Sequence, residues 1–89
     1  MTRQTLRIVN EKGLHARASA KFVEVVEEFD ATAKVSRDGL TVSGDSIMGL
    51  LMLAASRGTT IEVETSGAQA EELAAALATL VADGFGEDR

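Results

Sequence analysis

The sequence predicts an α+β domain built on one mainly antiparallel sheet, with helices packed on one of its faces. Three observations carry this. Period-two and helical hydrophobic patterns follow one another in the order β-α-β-β-α-β-α over 89 residues. The dipeptide Asp38-Gly39, set between two short alternating segments, is a strong hairpin signal. There is no proline, no internal repeat and no linker-like stretch, so all elements are assigned to a single domain, residues 1–89.

Each element has its own justification. Thr5-Leu6-Arg7-Ile8-Val9 alternates and reads as the first strand, with Leu6 and Ile8 facing inward. Asn10 to Gly13 is a loop. From Ala16 to Phe29 apolar residues recur at 18, 22, 25, 26 and 29, a helical stripe, with Lys21, Glu24, Glu27 and Glu28 mainly off it. Thr32–Arg37 and Leu40–Ser43 form the hairpin, in a register that sets Val35 opposite Val42 on the core side. A second helix runs from Ile47 to about Ala55, with Asp45 and Ser46 both suited to cap it. Thr60–Thr65 is the last strand, with Ile61 and Val63 inward. The third helix, Gln69 to Ala82, carries the stripe Leu73, Ala76, Leu77, Leu80 and Val81, and Gly84 stops it. Asp83 to Arg89 reads as a short polar tail around Phe85.

The second helix is apolar nearly all round, and a helix on a sheet buries only part of its circumference. Some of Ile47, Met48, Leu51 and Met52 are therefore expected to face outward as a docking patch, to which methionine lends adaptable packing.

Composition narrows the chemistry. Cysteine is absent and histidine occurs once, which leaves no thiol catalysis, disulfide or histidine-based zinc site. The first ten residues lack a signal-peptide pattern, and the longest apolar run, Ile47 to Ala55, is too short to span a bilayer, so a soluble intracellular protein is expected. The net charge is −5 and the only aromatics are three phenylalanines, which argues against nucleic acid. Yet Arg3, Arg7, Lys12, Arg17 and Lys21 concentrate positive charge in the first quarter. A positive site on an acidic molecule suits one anionic group or one acidic protein patch.

The single histidine lies in Gly13-Leu14-His15-Ala16-Arg17-Ala18-Ser19, where a glycine-bearing turn meets the start of a helix. A lone histidine near a cap is most often a polar surface residue. Its neighbours change the odds. The helix end offers the N–H groups of Ala16, Arg17 and Ala18 and the positive end of a dipole to an anion. It also disfavours imidazolium, which keeps the ring neutral. Neutral imidazole attacks phosphorus and forms a readily cleaved phosphoramidate. Arg17 can supply planar, charge-assisted donors to phosphoryl oxygens, Lys12 adds attraction, and Ser19 reads as a helical bystander. No glycine-rich nucleotide loop and no carboxylate cluster for a metal is present, so no cofactor is expected. The phosphoryl group must then arrive from one protein and leave to another.

Gly13-Leu14-His15-Ala16-Arg17 before one helix and Ser46-Ile47-Met48-Gly49-Leu50 opening another resemble the histidine-containing phosphocarrier (HPr) family of the phosphoenolpyruvate-dependent phosphotransferase system. The similarity runs from about Thr5 to Val81. It implies an open-faced β-sandwich acting in the cytoplasm as a monomer. It implies that His15 takes a phosphoryl group on Nδ1 from phosphorylated enzyme I and gives it to a histidine of an enzyme IIA protein, while Arg17 steadies the group. Ser46 would be a regulatory serine, the target of a dedicated kinase/phosphorylase. Ile47, Met48, Leu51 and Met52 would form the docking surface together with Ala20 of the first helix. The family commonly has proline where this chain has Ala18; alanine is the best helix former, so the site survives with slightly more freedom. Leu51-Met52-Leu53 and the tail Gly84-Phe85-Gly86-Glu87-Asp88 lean toward the family's nitrogen-related branch, whereas Ser46–Leu50 is also typical of the sugar branch. A purely regulatory module switched at Ser46, a small acylphosphatase-type hydrolase using Arg17 and Asn10, and a ferredoxin-like RNA binder are the competing readings.

Overall fold

A computed structural model describes residues 1–87; Asp88 and Arg89 of the sequence-predicted tail lie outside the described residues. The strands are β1 (Thr2–Arg7), β2 (Thr32–Arg37), β3 (Leu40–Ser43) and β4 (Thr60–Ser66). The helices are α1 (Ala16–Glu27), α2 (Ile47–Met52) and α3 (Ala70–Ala82). The strands form one sheet in the order β1-β4-β2-β3, and every pairing is antiparallel. The helices pack together on one face. The other face carries Arg3, Thr5, Lys34, Ser36 and Glu62, as the period-two pattern requires.

The hairpin has the predicted register: Val35 pairs with Val42 and Arg37 with Leu40. Asp38 and Gly39 both take positive φ, 51° and 83°, as a two-residue turn of the right twist demands. Val35, Ile61 and Val63 are fully buried under Phe22, Leu73, Leu77 and Val81.

β4 runs one residue past expectation, to Ser66, and α3 starts one residue later, at Ala70, with Gln69 as its N-cap. Larger differences occur at four places. β1 starts at Thr2 and ends at Arg7, so Ile8 leaves the strand while staying buried; its N–H bonds the Thr59 carbonyl at 2.8 Å. α1 ends at Glu27, short of Phe29. α2 stops at Met52 because Ala54 adopts a positive φ of 50°, which no right-handed helix accommodates. The tail is not merely polar. Gly84–Gly86 forms a 3₁₀ turn in which Gly84, Phe85 and Gly86 all have positive φ, and Phe85 is completely buried. A left-handed phenylalanine costs roughly 1–2 kcal/mol, and burial of its ring offsets that.

Candidate functional site

His15 is the N-cap of α1, in an extended conformation (φ −82°, ψ −175°) that turns the chain into the helix. The first helical hydrogen bond runs from the Ser19 N–H to the His15 carbonyl, 2.8 Å. The N–H groups of Ala16, Arg17 and Ala18 precede that bond and point out of the helix end. Gly13 makes the approach. Its φ is +67°, and a β-carbon there would collide with the Ala55 carbonyl, so the loop can lie against the segment after α2 only with glycine. The Leu14 N–H then bonds that same carbonyl at 2.9 Å. Ser19 is no loose bystander: it is fully buried and its hydroxyl donates to the Leu14 carbonyl at 3.3 Å, fixing the turn from below.

The His15 ring is partly exposed, at 27 %, and its Nε2 meets the Glu87 carboxylate. Sequence reasoning missed this contact. The other Glu87 oxygen accepts from Asn10 Nδ2 at 2.9 Å, and the same Nδ2 donates to the Gly13 carbonyl at 2.8 Å. Asn10 is fully buried, and its Oδ1 has no hydrogen-bond partner. A flip of the amide would aim that oxygen at two acceptors, so its orientation is dictated by the carboxylate and the carbonyl. The Asn10 hydrogen bond is the main cause holding the Glu87 carboxyl below the ordinary glutamate value. Burial opposes it more weakly, while the His15 hydrogen bond, the His15 charge when the ring is protonated, and the charge of Lys12 add to it.

Beside this contact lies a hollow of about 330 Å³ lined by Glu11, Lys12, Arg17, Lys21, Gly86 and Glu87. It gathers the cations Lys12, Arg17 and Lys21 close to the helix end. Arg17 is exposed and makes no hydrogen bond or ion pair among the described residues, so its guanidinium can turn toward an arriving anion. A larger hollow, about 760 Å³, lies on the uncovered sheet face among Thr5, Arg37, Thr41 and Glu62; His15 takes no part in it. Among the described residues no three His, Asp or Glu side chains converge to hold a metal ion, and no helix is long and apolar enough to cross a membrane.

Ser46 stands apart from this cluster. It caps α2, its Oγ accepting from the Gly49 N–H at 3.0 Å. Past it, Ile47, Met48 and Met52 are 40 %, 71 % and 66 % exposed, as the all-round apolar pattern predicted; Leu51 and, on α1, Ala20 are half-buried. α1 and α2 pack side by side, so the apolar patch and the imidazole belong to the same helical layer.

The described residues thus form an open-faced α+β sheet with a histidine at a helix N-terminus beside a hollow lined by Lys12, Arg17 and Lys21. The comparisons make the class particular. A family model described as "PTS HPr component phosphorylation site" matches residues 2–83. The chain is 47 % identical over 87 residues to the phosphocarrier protein HPr of Neisseria meningitidis, covering 98 % of each chain. It is 41 % identical over 87 residues to the phosphocarrier protein NPr of Escherichia coli, covering 97 % of each. Its structure matches HPr-C-His of Thermoanaerobacter tengcongensis with a TM-score of 0.94, at 36 % identity and full coverage of both chains. An HPr dimer of the same organism matches with a TM-score of 0.77, at 37 % identity, covering 98 % of this chain and 100 % of that one. The chain belongs to the HPr family of phosphocarrier proteins of the phosphotransferase system, a family whose relatives here include NPr as well as HPr.

Proposed function

We propose that His15 is the phosphoryl-carrying residue, loaded by phosphorylated enzyme I and discharged to a histidine of an enzyme IIA protein. The observation that carries this reading is the position of His15 as the N-cap of a twelve-residue helix beside a hollow lined by Lys12, Arg17 and Lys21. The helix end and the cations attract a phosphoryl group, and the ring supplies the nucleophile. Arg17 and the N–H groups of Ala16, Arg17 and Ala18 receive its oxygens. The exposed face of Ile47, Met48, Leu51 and Met52, with Ala20, docks both partners. The 89 residues work as one phosphocarrier domain, a monomer in the cytoplasm.

Ser46 is the regulatory site in this reading, phosphorylated by a dedicated kinase/phosphorylase. Its hydroxyl lies next to the exposed patch, where added charge obstructs docking without reaching His15 directly.

Incubation with phosphoenolpyruvate and enzyme I, followed by mass spectrometry, tests the carrier role. The expected product is one phosphoryl group, labile to acid and hydroxylamine, on wild type and absent from His15→Ala, which keeps its fold. Unchanged labelling of His15→Ala rejects the assignment. A dimer by sedimentation at micromolar concentration rejects the monomer.

A further inference from the structure

The contact between His15 and Glu87 joins residues that are 72 positions apart, and the carrier role by itself does not call for it. The chain is built to make it. Phe85 is fully buried in a left-handed conformation. Lys21 Nζ donates to its carbonyl at 2.7 Å. The Gly86 N–H bonds the Asp83 carbonyl and the Glu87 N–H bonds the Gly84 carbonyl, each at 3.1 Å. These bonds deliver the Glu87 carboxylate between two donors, Asn10 Nδ2 at 2.9 Å and His15 Nε2. The buried Asn10 amide is committed to this arrangement even though its own oxygen is left without a partner.

We infer that Glu87 is a positioning residue: its carboxylate holds the proton on His15 Nε2 and so leaves Nδ1 as the nucleophilic nitrogen, aimed away from the tail. The inference rests on the reading of His15 as the phosphoryl carrier. An ionised carboxylate only accepts hydrogen bonds, so the ring nitrogen facing it must carry the hydrogen. In a neutral imidazole the other nitrogen then holds the lone pair. The carboxylate of a Ser-His-Asp triad fixes tautomer and ring orientation in the same manner.

The transfer step needs no general base in this arrangement. The Nδ1 lone pair forms the bond to phosphorus, and the bond from phosphorus to the donor breaks, its electron pair leaving with the donor. Nε2 keeps its proton throughout. The ring becomes cationic as the new bond forms, and the Glu87 charge faces that cation from the side opposite the incoming group. Discharge to the acceptor runs the same sequence in reverse, with the proton again in place.

Nitrogen-15 NMR of the imidazole, with Glu87→Ala and Glu87→Gln beside wild type, tests the inference. Wild type should show Nε2 protonated and Nδ1 bare at neutral pH. Glu87→Ala should show both tautomers in exchange and accept phosphate roughly 10- to 100-fold more slowly, chiefly in kcat, as loss of a charge-assisted hydrogen bond to the reacting ring implies. Glu87→Gln offers one oxygen to two donors, Asn10 Nδ2 and His15 Nε2, so it should hold the Nε2-protonated tautomer only in part and transfer at a rate between those of Glu87→Ala and wild type. An unchanged tautomer in Glu87→Ala overturns the inference, and so does faster phosphorylation of that variant, which would make the carboxylate an obstruction. The tautomer is read on unphosphorylated protein. Failure of His15 to become phosphorylated in wild type therefore refutes the carrier role, while a missing tautomer effect refutes the role of Glu87.

Discussion

The ammonium of Lys21, one turn beyond Arg17 on α1, donates a 2.7 Å hydrogen bond to the carbonyl of Phe85 and so ties the C-terminal turn to the helix that carries His15. Through this bond and the buried Phe85 ring, a segment that reads as a surface tail becomes a wall of the site.

Phe85→Ala should therefore act at two levels. Truncating a fully buried phenylalanine costs about 3 kcal/mol or more, and alanine inherits the strained backbone without the compensating burial. Urea unfolding should show that loss. Below the unfolding transition the turn should loosen first, so the Gly86 and Glu87 amides, bonded to the Asp83 and Gly84 carbonyls, should lose hydrogen-exchange protection before the sheet does.

Acid should weaken the molecule through Glu87. Its folded carboxyl titrates below the ordinary value of 4.5, chiefly because of the Asn10 hydrogen bond. The stabilisation it brings is fully present above that ordinary value and is lost as pH falls through the lower folded value. Urea unfolding of wild type and Glu87→Gln at pH 7, 4.5 and 3 should show a stability gap that is widest at pH 7 and closes toward pH 3. A gap independent of pH excludes the carboxylate charge as its source.

Arg17→Ala should fold as stably as wild type, because the exposed guanidinium has no partner among the described residues. Phosphoryl transfer should slow by roughly 10- to 150-fold, the equivalent of about 1.5–3 kcal/mol for one charge-assisted donor made mainly in the transition state. Arg17→Lys should recover only part of the rate, since an ammonium lacks the planar fork. Single-turnover transfer from phosphorylated enzyme I measures both.

Ser46→Ala and Ser46→Asp separate the cap from the charge. Alanine removes the acceptor for the Gly49 N–H and should cost about 1 kcal/mol, with transfer little changed. Aspartate caps as well as serine, so stability should hold. Its charge lies beside Asp45 and the exposed Ile47-Met48 patch, so acceptance from enzyme I should show a raised KM that falls with added salt. α2 is only six residues long, shorter than its apolar run implies, so little dipole stabilisation is expected from the new charge.

The sequence by itself determined the element order, the Asp38-Gly39 hairpin with Val35 opposite Val42, the position of His15 at a helix start, a cap for α2 at either Asp45 or Ser46, and the outward apolar face of α2. These are all local: side-chain periods of 2 and 3.6, turn residues needing positive φ, and capping side chains act over a few positions, so they can be read along the chain. Only the tertiary structure decided the strand order β1-β4-β2-β3, the burial of Ser19 and Phe85, the left-handed break after α2, and the meeting of Asn10 and Glu87 at the His15 ring. Phe85 between two glycines is the one sequence signal of a tail that turns inward, since a large apolar ring in a polar stretch is stabilised by a core to enter. The partner of His15 Nε2 carried no such signal. A contact across 72 positions depends on the whole chain closing around Phe22, Leu77 and Val81, and no local pattern encodes which carboxylate that closure will bring to the ring.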